Sequence, residues 1–375
     1  MKIAIIGGGI GGLTLANCLQ NSKIQFTLYE KAEKFTEVGA GIGISESAYE
    51  ILKEIGLGFD IMEKGNFVQD AIIVNKIGKT IRKLPIKNGG FCISRAELIN
   101  ILSKNIQIEN VKFSYEVDTF TTIDNTIKLN FSNGQTTTYD YVFVSDGINS
   151  KFRKQLFPQI QKRFSGQTVW RGISNCKLPS IYQNAYLEFW GENLRFATIP
   201  LNKNQYYWYA CKYAPKDEVD NQVNLKEELK NLFKNYSPEL NQVIEYTELI
   251  IRNDMWDLKP HNENWHKSNI IFLGDAIHAT TPNLAQGGCQ AIEDSFTITK
   301  LLNNKGFSNE AFTEYRNIRI KKVNYIINQS WKYGKISHQK NKFMEFMIQN
   351  LFKILPNYFF ENQYNKLIDL KYIKK

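Results

Sequence analysis

Ile3-Ala4-Ile5-Ile6-Gly7-Gly8-Gly9-Ile10-Gly11-Gly12-Leu13-Thr14-Leu15-Ala16 stands almost at the start of the chain. The apolar run from Ile3 to Ile6 is what a strand buried on both faces requires. Gly7, Gly9 and Gly12 satisfy G-x-G-x-x-G, and the residues after them continue as a helix. Gly7 permits the tight turn, Gly9 lets backbone approach a pyrophosphate, and Gly12 lets helix and strand pack closely. The helix N-terminus adds N–H donors and a positive dipole end. A second strand, residues 25–29, ends at Glu30, 23 positions after Gly7, where a carboxylate is needed to hold a ribose hydroxyl pair. Strand, turn, helix, strand and acid in register predict a Rossmann-like dinucleotide crevice. Gly39, Gly41 and Gly43 follow, a stretch poor in side chains that suits backbone lying against a ligand.

Two more strand patterns end on acids. Residues 139–144 run into Ser145-Asp146-Gly147, and residues 269–273 run into Gly274-Asp275. Ligands of open α/β sheets lie beyond the carboxyl ends of the strands, so Asp146 and Asp275 belong on the crevice side. Pro282 and Gly287-Gly288 lead into a helix from Cys289, a second N-terminus able to stabilise negative charge. Ser94-Arg95-Ala96-Glu97 has the form of a capping box and predicts a helix from Arg95 to about Lys104. A cation in the first turn opposes the helix dipole, so Arg95 either has a compensating neighbour or another task.

Length and charge bound the class. The 375 residues suit about two domains, and 43% apolar content is ordinary for a protein with a large core. Lys and Arg number 47 against 37 acids, so the formal charge is +10, with only short doublets such as Lys321-Lys322 and Lys374-Lys375. A solvated basic surface is the plain reading; attraction of anionic small molecules is the sharper one. No basic stripe interleaved with aromatics is present, which argues against nucleic-acid binding. Five scattered cysteines (Cys18, Cys92, Cys176, Cys211, Cys289) form no C-x-x-C pair, so neither a disulfide framework nor a metal site is expected. A reduced, cytoplasmic setting follows. The apolar start is too short for a signal segment, and no run of about 18 apolar residues suggests a membrane span.

Aromatic residues crowd the middle of the chain: residues 187–190, 195–199 and 206–211 read as strands of an antiparallel sheet. A core sheet rich in aromatics is the plain reading; alternation also puts half of these rings on the crevice side, where they could stack on a planar substrate. Arg195 interrupts one of these apolar strands. If buried it needs an anionic or carbonyl partner; otherwise it sits on an exposed edge. Residues 337–355 have helical periodicity stopped by Pro356, and an apolar face docked on the domains is expected, with a membrane-surface helix as the lesser alternative.

With these motifs in this order, the chain resembles the single-component, class A FAD-dependent aromatic monooxygenases of the para-hydroxybenzoate hydroxylase fold. Asp146-Gly147-Ile148-Asn149-Ser150-Lys151-Phe152-Arg153 and Gly274-Asp275-Ala276-Ile277-His278 extend the likeness over nearly the whole chain. Trp170-Arg171-Gly172, the run 287–294 and Leu351-Phe352-Lys353-Ile354-Leu355-Pro356 point to the branch holding FAD-dependent urate hydroxylase and zeaxanthin epoxidase, with tetracycline-inactivating monooxygenases as relatives. The fold so implied is α/β: a discontinuous Rossmann-like FAD-binding domain (1–71, 92–163, 268–335), an inserted antiparallel-sheet substrate domain (72–91, 164–267) and a C-terminal helical segment (336–375).

By that resemblance, FAD is held at Gly7, Gly9, Gly12, Glu30, Lys31, Gly43, Arg95, Asp146 and Asp275, and along Ala285, Gln286, Gly287, Gly288 and Cys289. Glu30 would bind the adenosine ribose, Asp275 the ribityl chain, and residues 285–289 the isoalloxazine; Ala285 replaces the glycine of many members. The segment 146–153 would also serve a passing NAD(P)H, since no second G-x-G-x-x-G is present. His278 would pack beside the cofactor. Arg195 and Tyr207 would face the substrate, with Asp294 orienting Arg195. The implied reaction is NAD(P)H reduction of FAD, addition of O2 as a flavin C4a-hydroperoxide, and transfer of one oxygen atom to an aromatic or conjugated small molecule. The alternatives are an NAD(P)H oxidase or reductase that never oxygenates, and a non-enzymatic FAD-binding sensor.

Overall fold

A computed structural model of the chain describes residues 1–35 and 40–371, so Gly39 and the terminal Lys374-Lys375 lie outside the described residues. Ile3–Ile6 forms the centre of a six-stranded sheet because all four of its side chains are buried. Thr27–Glu30 and Val111–Phe113 extend the sheet on one side of it, and Tyr141–Val144 and Ile270–Phe272 on the other. These pairings are all parallel; only the edge pair His266–Lys267 is antiparallel. Helices Ile10–Asn21, Gly287–Lys305 and Asn309–Ile336 carry the apolar residues that bury it, including Leu13, Leu15, Ile298 and Phe312.

The second sheet has eight strands, ordered Ile251–Leu258, Lys162–Asn175, Gln205–Tyr213, Leu194–Asn202, Ala185–Gly191, Asn66–Asn75, Thr80–Ser94 and Gly41–Ile44. It is antiparallel except where Ala185–Gly191 runs parallel to Asn66–Asn75. The aromatic strands expected from sequence all lie in it. The expected domain limits at residues 71 and 91 fall inside strands, because Asn66–Asn75 and Thr80–Ser94 pair with each other along their length. A separate three-stranded sheet, spanning Val117–Ile123, Thr126–Phe131 and Thr136–Tyr139, stacks Phe120 on Phe152 at 4.3 Å.

Alternation divides the eight-stranded sheet cleanly. Phe189, Phe196, Tyr206 and Trp208 turn to a core closed by helices Leu225–Leu232 and Glu239–Glu245. Tyr186, Ala197, Ile199, Tyr207 and Tyr209 turn to the other face. The expected helix after residue 337 is two helices, Lys342–Ile354 and Asn357–Ile368, broken at Pro356. The expected docking is met in part: Ile348 and Phe352 pack against the Ile73–Ile81–Trp190 cluster, but Phe343, Met344, Met347, Leu351 and Ile354 are exposed.

Candidate active site

Three parallel strands deliver their carboxyl ends to one crevice. After Ile6, Gly7 takes φ +102°, and a Cβ on Gly12 would stand 1.9 Å from the Gly7 carbonyl oxygen, so strand and helix meet too closely for a side chain. No atom lies within 4 Å of where a Gly9 side chain would begin, leaving the backbone open to a ligand. Glu30 accepts from Gly8 N at 2.7 Å and from Ala32 N at 2.8 Å, so its carboxylate braces the glycine turn from the next strand. Lys31 follows with an exposed side chain.

Asp146 and Asp275 flank the same opening. Burial pushes Asp146 up to about 6, against the pull of Ser150, the Lys151 backbone and Arg153, and its Oδ1 has no hydrogen-bond partner among the described residues. Asp275 is open to the crevice, yet the protein crowded about it raises its pKa despite the nearby His278 ring and the Arg95 and Arg153 guanidinium groups. Arg153 is spent on structure, donating to Ala276 O at 2.8 Å and Ile148 O at 2.6 Å, which staples the two acidic turns together. Arg95 opens the helix Arg95–Ser103, capped by Ser94 Oγ accepting from Glu97 N at 3.1 Å, and its guanidinium lies close enough to lower both Asp275 and Tyr207.

The fourth wall is the N-terminus of Gly287–Lys305. Pro282–Leu284 forms a 3₁₀ turn, Ala285 takes a left-handed φ of 52°, and Gly287 begins the helix. Cys289 Sγ donates to Gly43 O at 3.3 Å and so closes the edge strand Gly41–Ile44 against this helix; a side chain on Gly43 would start 3.7 Å from Ala285 Cβ. The same helix is anchored by a buried ionic knot. Asp294 accepts from Gly274 N at 2.9 Å and Arg319 Nε at 2.7 Å, and pairs with His278 Nε2 at 2.5 Å. Burial raises the Asp294 carboxyl, but His278 and Arg319 overrule it and hold it at about 2. Glu293 takes Arg319, Lys322 at 2.8 Å and Ser47 at 2.9 Å.

That geometry corrects one expectation: Asp294 is committed to His278, Gly274 and Arg319 and does not orient Arg195. Arg195 instead donates to Asn283 Oδ1 at 2.5 Å and Ser337 Oγ at 3.1 Å, with Glu188 at 3.6 Å. At 1% exposure it is sealed beneath Tyr209 and Tyr333, whose rings lie 5.4 and 5.6 Å from it. Glu188 is fully buried and takes hydroxyl donors from Tyr186, Tyr209 at 2.8 Å and Tyr333 at 3.1 Å, and the Trp190 indole N–H at 2.6 Å. Tyr207 lies in front of this layer, its ring against Gly41, with burial pushing its hydroxyl up to about 12 despite Arg171 and Arg95.

Asn283 and Glu188 escaped the sequence reading. Asn283 carries no motif. Glu188 did carry a signal: Trp190 pairs with Arg195, so Glu188 is the diagonal neighbour of Arg195 on the same face. A carboxyl and a guanidinium in adjoining apolar strands are each other's natural partners.

The crevice fits an FAD molecule on its own terms. Open backbone at Gly9, a carboxylate at the end of the second strand, and the helix start at Gly287 suit the pyrophosphate, a ribose and the electron-rich end of a flavin. Residues 1–311 match the FAD binding domain family. The chain is 29% identical to the aurachin C monooxygenase/isomerase of Stigmatella aurantiaca over 367 residues, 95% of each chain. It is 24% identical to the 2-heptyl-3-hydroxy-4(1H)-quinolone synthase of Pseudomonas aeruginosa over 372 residues, again 95% of each. FAD-dependent urate hydroxylases and zeaxanthin epoxidases are among the further relatives. Klebsiella pneumoniae HpxO, solved with FAD and uric acid, superposes with a TM-score of 0.90 over 98% of this chain and 96% of that one at 22% identity.

Proposed function

The chain belongs to the FAD binding domain family as a flavoprotein monooxygenase, and on that premise we propose that it consumes NAD(P)H and O2 to insert one oxygen atom into a planar, electron-rich heteroaromatic molecule. The observation that carries this reading is the meeting of the crevice with the Tyr207 face of the eight-stranded sheet at Gly41. The relatives matched end to end, named for aurachin C and for a hydroxylated quinolone, support a bicyclic substrate. Five free, buried cysteines support action in a reducing compartment such as the cytoplasm.

FAD supplies the redox and oxygen-transfer chemistry when bound. The chain's share is holding, orienting and drying. Glu30 braces the turn at Gly8 and takes the ribose, while Gly7, Gly9 and Gly12 admit the pyrophosphate. Asp275 would hold the ribityl arm, and the amides of Gly287 and Gly288 would stabilise negative charge at the pyrimidine edge. Tyr207 stays a neutral phenol at physiological pH and donates to a substrate carbonyl, while the Tyr209 ring, tilted 50° to it, packs against the substrate's edge. Arg195 works from behind: it fixes Asn283, beside the helix start, and the Glu188 cluster that holds Tyr209. NAD(P)H would pass along the Asp146–Arg153 segment of the flavin domain.

The test is a panel of hydroxylated quinolines, purines and simple phenols given to the purified protein with NADH or NADPH in air. Bicyclic heteroaromatics should stimulate NAD(P)H consumption and yield a product heavier by one oxygen atom. Tyr207→Phe should raise KM for such a substrate about tenfold, the worth of one hydrogen bond. Hydrogen peroxide formed in step with NAD(P)H loss, with every compound returned unchanged, would overturn the assignment.

A further inference from the structure

We propose that the helix Lys342–Ile354 is a docking face for an anionic phospholipid surface. A globular helix ordinarily turns its apolar stripe to the core. This one has two apolar faces. At 3.6 residues per turn, Ile348 and Phe352 share the inner arc, where Phe352 meets Trp190 at 5.1 Å. Phe343, Phe346, Met347 and Ile354 lie toward solvent, with Met344 and Leu351 on the shoulder between the two arcs, and Phe343 is 67% and Ile354 78% exposed. Tyr358, at 74%, continues the stripe into the next helix. An outward row of large side chains this long is rare on a surface that stays in water.

The helix is not a frayed tail. Glu345 accepts from Glu192 N at 3.1 Å, Arg82 donates to Phe352 O at 3.4 Å, and Lys322 reaches Asp369 O at 2.9 Å, so both C-terminal helices are fastened to the body. The stripe is therefore presented rigidly, and nothing among the described residues covers it.

Charge selects the occupant. Lys342 and Lys353 line one edge of the stripe, beside Phe346, with Lys340 just before the helix, while Glu345, the one acid of this helix, is turned inward. A second copy of the chain meeting this face about a two-fold axis would bring lysines against lysines with no carboxylate on the helix between them. An anionic lipid surface satisfies both parts at once: side chains enter the acyl boundary and lysines reach the phosphates. The chain's +10 charge favours the same approach.

Co-sedimentation of the flavin-bound protein with vesicles tests this. One set is pure phosphatidylcholine and another carries one-third phosphatidylglycerol, a fraction of roughly physiological order for an anionic membrane. Binding is expected to the anionic vesicles and to weaken as salt rises. Phe343→Ser, Met347→Gln, Leu351→Gln and Ile354→Gln together should lower partitioning by at least about tenfold. The variant should keep its bound flavin and its turnover of water-soluble substrate. Lys342→Glu with Lys353→Glu, which leaves the stripe intact, should also weaken binding. Failure of wild type to bind anionic vesicles, or binding indifferent to both variants, overturns the proposal. So does a dimer in solution that the four-fold variant converts to monomer, since a second copy would then be the occupant.

Discussion

Gly12 is the position with the least room in the crevice. A methyl there would sit 1.9 Å from the Gly7 carbonyl, and relief requires strand and helix to part. Gly12→Ala should cost on the order of 1–3 kcal/mol and release flavin during purification, read as loss of the yellow absorbance per protein. His338 gives a pH test of a different kind. Burial, and after it the Arg195 charge, hold its imidazole at about 3 where 6.5 is ordinary. The unfolded chain therefore takes up a proton first as pH falls. Stability from this residue is present above about pH 6.5 and is lost progressively as pH drops toward 3, by up to about 1.4 kcal/mol per pH unit. In His338→Gln that loss is gone, so urea midpoints of variant and wild type should converge between pH 7 and pH 4. A constant gap would sink the assignment. At this scale much was legible: Gly7, Gly12 and Glu30 declare themselves by spacing, because backbone geometry leaves few residue types for those tasks. Asn283 did not, because a short amide that meets a guanidinium across the fold leaves no periodic trace.

Among the elements, the helix Gly287–Lys305 has the most to lose. Its Glu293 and Asp294 are fully buried, and Arg319 from the next helix answers both. Arg319→Met removes one side of that knot and should destabilise the protein by about 3–5 kcal/mol, seen as a large fall in Tm. Asp294→Asn should also lower Tm, because an amide whose oxygen serves Gly274 and His278 turns its NH2 against the Arg319 Nε–H, two donors with no acceptor between them. Secondary elements were readable wherever pattern and burial agreed. The strands around residues 3–6, 187–190 and 206–211 are such cases, since buried parallel strands are continuous runs and half-buried ones alternate. The C-terminal helix had the right periodicity, but its apolar residues run past the docked side and only Ile348 and Phe352 reach the body. A pattern of apolar residues fixes a face, and only tertiary contacts decide what that face meets.

Across the whole molecule, the bond from Arg195 to Asn283 is a buried tie between the eight-stranded sheet and the turn that precedes the helix Gly287–Lys305. Arg195→Met should leave flavin binding near normal while lowering kcat, because the substrate sheet would no longer be registered on the helix start; equal losses in both would argue against that division of labour. Fold class was legible at this scale because three strand ends with acids, in order, admit few topologies. The partition into domains was not, because Asn66–Asn75 and Thr80–Ser94 each belong to a continuous hairpin that no composition shift marks. Asp294 grips the amide of Gly274 while Arg153 ties Ile148 to Ala276, so the turns lining the crevice are cross-braced by contacts that the protein makes with itself. Calorimetric titration of the flavin-free protein should then return a heat-capacity change no larger than the apolar area FAD itself covers, with no added increment from chain ordering.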